Sequence, residues 1–143
     1  MIFTPWFRPA GPGSLVGMTT NTKSTKPKHL TTGERGEALA ARYLERQGLT
    51  VLSRNWRCSE GELDLVLTDG RTLVVCEVKT RTSDNYGAPA EAVTDTKAAR
   101  IRRLARRWRV DYRVGPVPTR YDIVAITWPA GETPRISHLR GVL

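Results

Sequence analysis

The sequence predicts an α/β fold, a mixed central sheet flanked by helices. Three observations carry this expectation. An amphipathic segment with capping signals spans residues 31–48; two short apolar runs flank Asp69-Gly70; and a second amphipathic segment at 97–109 precedes an apolar run at 121–128. Helices separated by strands in this order imply a mixed sheet covered by helices.

Thr31 or Thr32 can cap the first helix, Thr32-Gly33-Glu34-Arg35-Gly36-Glu37 opens it, and Gly48 suits its C-terminus. Ala40, Ala41, Leu44 and Gly48 form one stripe, and Glu37 falls in line with Ala41 and Leu44 at helical spacing. Glu37 is thus an acid at the edge of the inward face. The plainer alternative is that it simply complements the positive end of the helix dipole. Glu34, Arg42, Glu45 and Arg46 make up a solvated side.

Leu49–Arg57 reads as the first strand, and Leu63–Leu67 and Leu73–Cys76 as a hairpin that ends in Glu77-Val78-Lys79. Asp-Gly favours a two-residue type I′ turn. Such a turn sets Thr68 opposite Arg71 and Asp64 opposite Val75, so Asp64, Val75, Glu77 and Lys79 share one face. Asp64 and Glu77 are then diagonal neighbours, about 7–8 Å apart at the backbone, and can reach one cation between them. A four-residue loop preserves this parity, whereas a three-residue loop breaks it. Burying such charges is costly unless they are paired or bind a metal, which makes the cluster a candidate site. A cross-strand ion pair, with Glu77 bonded to Lys79 or a neighbouring Arg, is the plain alternative.

The segment Thr82–Val93 reads as a polar loop beside that cluster, either shaping substrate entry or merely connecting elements. Lys97 to Arg109 reads as an amphipathic helix with Ile101, Leu104, Ala105 and Trp108 inward and an outer face almost purely arginine. Lys97, Arg100, Arg103 and Arg107 share one side of it, and no acid follows Asp95 within the segment. Tyr121–Trp128 is expected to be a buried strand and Arg135–Leu139 an edge strand.

The chain of 143 residues carries 23 Lys+Arg against 14 Asp+Glu, a net charge of +9. That surplus is an electrostatic footprint for nucleic acid. A membrane surface fits less well, because the core needs the apolar stripe of the arginine helix. Residues 1–30 mix Pro, Gly, Thr and Lys without period and are expected to be a disordered extension; Met1 and Met18 are both candidate starts. No signal peptide or membrane-span pattern is read, and two cysteines without a secretion signal suggest reduced thiols and a cytoplasmic location. Cys58 and Cys76 have no CxxC spacing, and His29 and His138 have no ligand-type neighbours in sequence, so no zinc site is evident.

Gly33-x-x-Gly36-Glu37-x-x-Ala40 with Tyr43-Leu44, Asn55-Trp56-Arg57, Gly61-Glu62-Leu63-Asp64-Leu65-Val66 and Val75-Cys76-Glu77-Val78-Lys79-x-Arg81 together resemble the YraN-like bacterial family. The pattern is similar to archaeal Holliday junction resolvases and the PD-(D/E)xK nuclease superfamily. It covers roughly residues 33–142 and takes in Tyr121-Asp122-Ile123-Val124 as the family's late strand. The resemblance implies a restriction-endonuclease-like fold, with residues 31–143 as the nuclease-like domain. It implies Asp64 and Glu77 as metal-binding carboxylates, Lys79 as the lysine that positions the attacking water, and Glu37 as the helix acid that completes the catalytic set. Gly61-Glu62 stands where the superfamily often has Pro before the aspartate.

Carboxylate oxygens with water select hard cations, Mg²⁺ or Mn²⁺. Two classes of function follow. One is a metal-dependent endonuclease on DNA, with branched DNA as one candidate substrate. The other is a nucleic-acid-binding protein that keeps the nuclease-like fold without turnover. The sequence leaves a homodimer open.

Overall fold

A computed structural model describes residues 29–83, 85 and 94–143. The expected extension 1–30 therefore lies outside the described residues apart from its last two, and so does most of the expected loop 82–93. Two helices and five strands are present among the described residues: α1 (Thr32–Arg46), β1 (Thr50–Cys58), β2 (Gly61–Thr68), β3 (Leu73–Arg81), α2 (Asp95–Asp111), β4 (Thr119–Thr127) and β5 (Arg135–Leu139).

Thr31 caps α1. Its side chain accepts from the Glu34 N–H, and the Glu34 carboxylate accepts from the Thr31 N–H at 2.9 Å. Two orphan donors are satisfied reciprocally, which fixes the start of the helix. Ala40, Ala41 and Leu44 are fully buried, and the small alanines bring α1 close to the sheet. Gly36 is part of this approach, since a Cβ there would overlap the Thr80 hydroxyl and lie 2.9 Å from the Thr80 Cβ. Only glycine lets the N-terminal half of α1 rest on the end of β3 here, and the next residue is Glu37.

The strands run in the order β1-β2-β3-β4-β5. β1, β2 and β3 form an antiparallel meander; β3 pairs parallel to β4; and β5 pairs antiparallel to β4. The parallel step needs a crossover, which α2 supplies. α1 covers one face, packing on Leu65, Leu67, Val74, Cys76, Val124 and Ile126. α2 covers the other, where Ile101, Leu104, Ala105 and Trp108 meet Val66 and Val75. The Trp108 indole N–H donates to Ser53 Oγ at 2.9 Å, next to a bulge between Val51 and Ser53. This is the expected mixed sheet flanked by helices, compatible with a restriction-endonuclease-like fold.

The β2–β3 register departs from expectation. Thr68 pairs with Leu73 and Val66 with Val75, so the loop holds four residues, Asp69 to Thr72. Asp69 Oδ1 accepts from the Arg71 and Thr72 N–H groups at 2.8 and 2.7 Å, and Thr68 Oγ1 accepts from the Gly70 N–H at 2.9 Å. These side-chain bonds close a wider loop than the type I′ turn. Parity survives, but each pairing moves by two residues. Continued one step past Leu65–Cys76, the register sets Asp64 opposite Glu77 rather than Val75.

Candidate active site

The β2–β3 ladder ends at Leu65–Cys76. One step further, Asp64 Oδ2 accepts from the Val78 N–H at 2.9 Å. A side-chain carboxylate thus takes a donor of β3 where the ladder has stopped. Leu63 packs with the α2 core, although strict alternation from Leu65 would send it to the α1 face. Asn55, across from Asp64 on β1, has φ +48°, and at Gly61, with φ +146°, a Cβ would lie 3.3 Å from Leu104 Cδ1.

Asp64 is consequently reached from both faces. It lines one small pocket with Glu62, Glu77, Arg100 and Ile101, and another with Glu34, Glu37, Ala38 and Asn55. The expectation that Asp64 simply shares a face with Glu77 and Lys79 is corrected to this extent. Val75, Glu77 and Lys79 do alternate onto the α2 side, whereas Asp64 bridges the two sides. This also brings in Glu37, whose helix lies on the opposite face from α2.

Burial, opposed by the Val78 N–H, and then the charges of Glu37, Glu77 and Glu62 push the Asp64 carboxyl up to about 6. A carboxyl crowded by three others gains from a nearby cation. Glu77 has a cation in this structure: Lys97 Nζ lies 3.0 Å from Glu77 Oε1, both side chains being 21% exposed. Lys97, expected on the outer basic face, therefore turns inward to the site. Lys79 makes no ion pair among the described residues. Cys76 is buried on the α1 side, and burial holds its thiol well above the ordinary range.

No group of three or more His, Cys, Asp or Glu side chains among the described residues is arranged to hold a metal ion. A two-carboxylate set, Asp64 and Glu77, still fits Mg²⁺ or Mn²⁺ by donor chemistry, because such ions keep several waters and take the rest from substrate oxygens. The carboxylates gathered around Asp64, with Glu62 and Glu77 in one pocket and Glu37 in the other, are the observation in favour of that fit.

The arginine flank adjoins the site. Arg100 lines the Asp64–Glu77 pocket, and Arg103 and Arg107 continue its side of α2 toward β2 and β1, where Leu104 faces Gly61 and Trp108 bonds Ser53. Arg100 and Arg103 are exposed and have no ion pair among the described residues. Arg107 differs. The helix runs two residues past the expected end, and Asp111 pairs with Arg107 Nε at 3.1 Å.

Residues 36–126 match the family described as Uncharacterised protein family UPF0102. The chain belongs to this family. Among its relatives, a UPF0102 protein of Nocardioides sp. is 56% identical over 110 residues, covering 77% of this chain and 89% of the relative. A UPF0102 protein of Frankia alni is 52% identical over 109 residues, covering 76% and 91% of the two chains. One from Arthrobacter sp. is 53% identical over 110 residues, covering 77% and 93%. The UPF0102 match takes in Glu37, Asp64, Glu77, Lys79 and the whole of α2. No helix among the described residues is long and apolar enough to cross a membrane.

Sequence reasoning missed a second polar cluster in this UPF0102 chain. Asp122 is fully buried on β4 and accepts from Arg120 Nε and Nη2 at 2.9 Å each and from the Gly141 N–H at 2.9 Å. His138 Nε2 lies 2.8 Å from its other oxygen. A charged residue inside the apolar run Tyr121–Trp128 was the available signal; its partner on β5 was not visible in sequence. Asp122 lies on the α1 side with Cys76, opposite the side that carries Glu77 and Lys79, and reads as a structural clasp on β5.

Proposed function

We propose that this protein is a divalent-metal-dependent endonuclease that hydrolyses phosphodiester bonds of DNA. One observation carries the reading: Asp64 stands where the β2–β3 ladder stops, pinned by the Val78 N–H, with Glu77 and Lys79 flanking that residue on β3. Asp64 and Glu77 would hold Mg²⁺ or Mn²⁺, which, when bound, supplies a nucleophilic water at neutral pH and offsets phosphate charge.

The chain's own residues do the rest. The Val78 N–H fixes the orientation of the Asp64 carboxylate. Lys79, with no carboxylate partner among the described residues, is available to a phosphate oxygen and to the attacking water. Glu37 adds negative charge beside Asp64 and can take a proton from that water. Arg100 and Arg103 receive the phosphate backbone next to the site, which positions a nucleic acid without reading its sequence.

A second reading is binding without turnover, and one contact favours it: the Lys97 ammonium already neutralises Glu77. Incubating the purified chain with linear, nicked, flapped and four-way DNA, and with RNA, each with Mg²⁺, Mn²⁺ or EDTA, separates the two. Cleavage that EDTA stops supports the endonuclease. Retention of DNA without cleavage under every condition supports the binding protein.

A further inference from the structure

Lys97 is held in place by its helix. Its N–H donates to the capping Thr94 Oγ1 at 3.2 Å, and Ile101, one turn on, is seated in the core at 6% exposure. The backbone of residue 97 therefore cannot withdraw from the sheet without opening the core. Only the four-carbon stem can swing. At its tip the ammonium meets Glu77 at 3.0 Å, and both side chains are only 21% exposed, so solvent screens the pair less than it would on an open surface.

We propose that Lys97 is a built-in counter-ion of the site, holding Glu77 while no divalent cation is bound and competing with that cation for the same carboxylate. The inference rests on the metal-site reading given above. A compact ammonium on a flexible stem suits this role, because it can neutralise a carboxylate and then turn away, which a planar guanidinium does less readily. Its exit lies beside Arg100, one turn further along the same flank, where a phosphate would stand. Arrival of a dication and a nucleic acid would then free Glu77 and give Lys97 a new anionic partner.

The role predicts an effect opposite to that of an ordinary site residue. Removing Lys97 should tighten cation binding, since the Glu77 carboxylate would lose the ammonium that stands 3.0 Å from it. The test is calorimetric titration of Mn²⁺ into the full-length wild type, Lys97→Met, Lys97→Gln and Asp64→Asn, with melting temperatures recorded with and without Mn²⁺. Both Lys97 variants should bind Mn²⁺ about tenfold more tightly than wild type, as expected for loss of one adjacent like charge. Their melting temperatures should also rise more on adding Mn²⁺. If wild type binds Mn²⁺, Asp64→Asn does not, and both Lys97 variants bind no more tightly than wild type, the counter-ion role is overturned and the metal site stands. Failure of every variant to bind Mn²⁺ overturns the metal site and this role with it.

Discussion

Asp64 and Val78 are joined by a 2.9 Å hydrogen bond from main chain to carboxylate at the position where the β2–β3 ladder has ended. The bond does two things. It replaces a lost strand contact, and it fixes a carboxylate between two helices that lie on opposite faces of the sheet. Asp64 thereby stands beside Glu37 of α1 on one side and, on the other, beside Glu77, which Lys97 of α2 pairs.

The Asp64 carboxyl is pushed up to about 6 by burial, against the Val78 N–H, and by Glu37, Glu77 and Glu62. For an acid with a raised folded pKa, ionisation opposes folding. The cost is fully present above about 6 and is relieved as pH falls toward the unfolded chain's 3.8. Asp64→Asn should therefore melt higher than wild type at pH 8 without metal, and the gap should narrow toward pH 5. Thermal unfolding in EDTA at the two pH values checks this; a lower melting temperature for the variant at pH 8 would refute it.

Asp122 carries the opposite sign. Burial pushes its carboxyl up, but Arg120, the Gly141 N–H and His138 outweigh that and hold it below the usual range. Its contribution to stability is present above the unfolded value of 3.8 and is lost as pH falls below it. Removing one partner of such a buried network costs about 3–5 kcal/mol. Asp122→Ala should show that loss in urea unfolding at pH 7, and up to about 1 kcal/mol less of it near pH 3, the most that protonation over that interval can remove. A variant as stable as wild type at pH 7 would mean that the clasp contributes nothing.

The arginine flank should reveal itself through salt. Each phosphate contact removed flattens the log–log salt slope on duplex DNA by about 0.9, so Arg100→Ala with Arg103→Ala should reduce it by up to about 2. Arg107→Ala should do less, because Asp111 already engages that guanidinium. Neither Arg100 nor Arg103 belongs to the buried stripe of α2, so melting temperature should hardly move. Filter binding across a salt series is the measurement, and an unchanged slope would leave this flank merely solvated.

Much of this was legible in the sequence, for identifiable reasons. The helical stripes Ala40-Ala41-Leu44 and Ile101-Leu104-Ala105-Trp108 are buried as their period predicts. β5 spans Arg135–Leu139 as expected, and β4 differs by one or two residues at its ends. The hairpin register was not legible, because Thr68 and Asp69 use their side chains to close a four-residue loop that the Asp-Gly pair alone does not announce. Nor could alternation foresee that Asp64 reaches both faces, since β2 leaves β3 at that residue while Asn55, across from it on β1, takes φ +48°. The Lys97–Glu77 and Asp122–His138 pairs join residues on separate elements, and such contacts come from topology rather than local pattern.

Cleavage of DNA by matched preparations of wild type, Glu77→Ala and Lys79→Ala, each with Mn²⁺ and with EDTA, tests the central claim most directly. Melting temperature should be used to confirm that each variant is folded. The account predicts Mn²⁺-dependent cleavage by wild type, none in EDTA, and a loss of at least about 10²-fold in each folded variant, the scale expected for removing a group that acts on the transition state. Equal cleavage by all three proteins would point to a contaminant and contradict the account, as would wild type that binds DNA yet leaves every substrate intact.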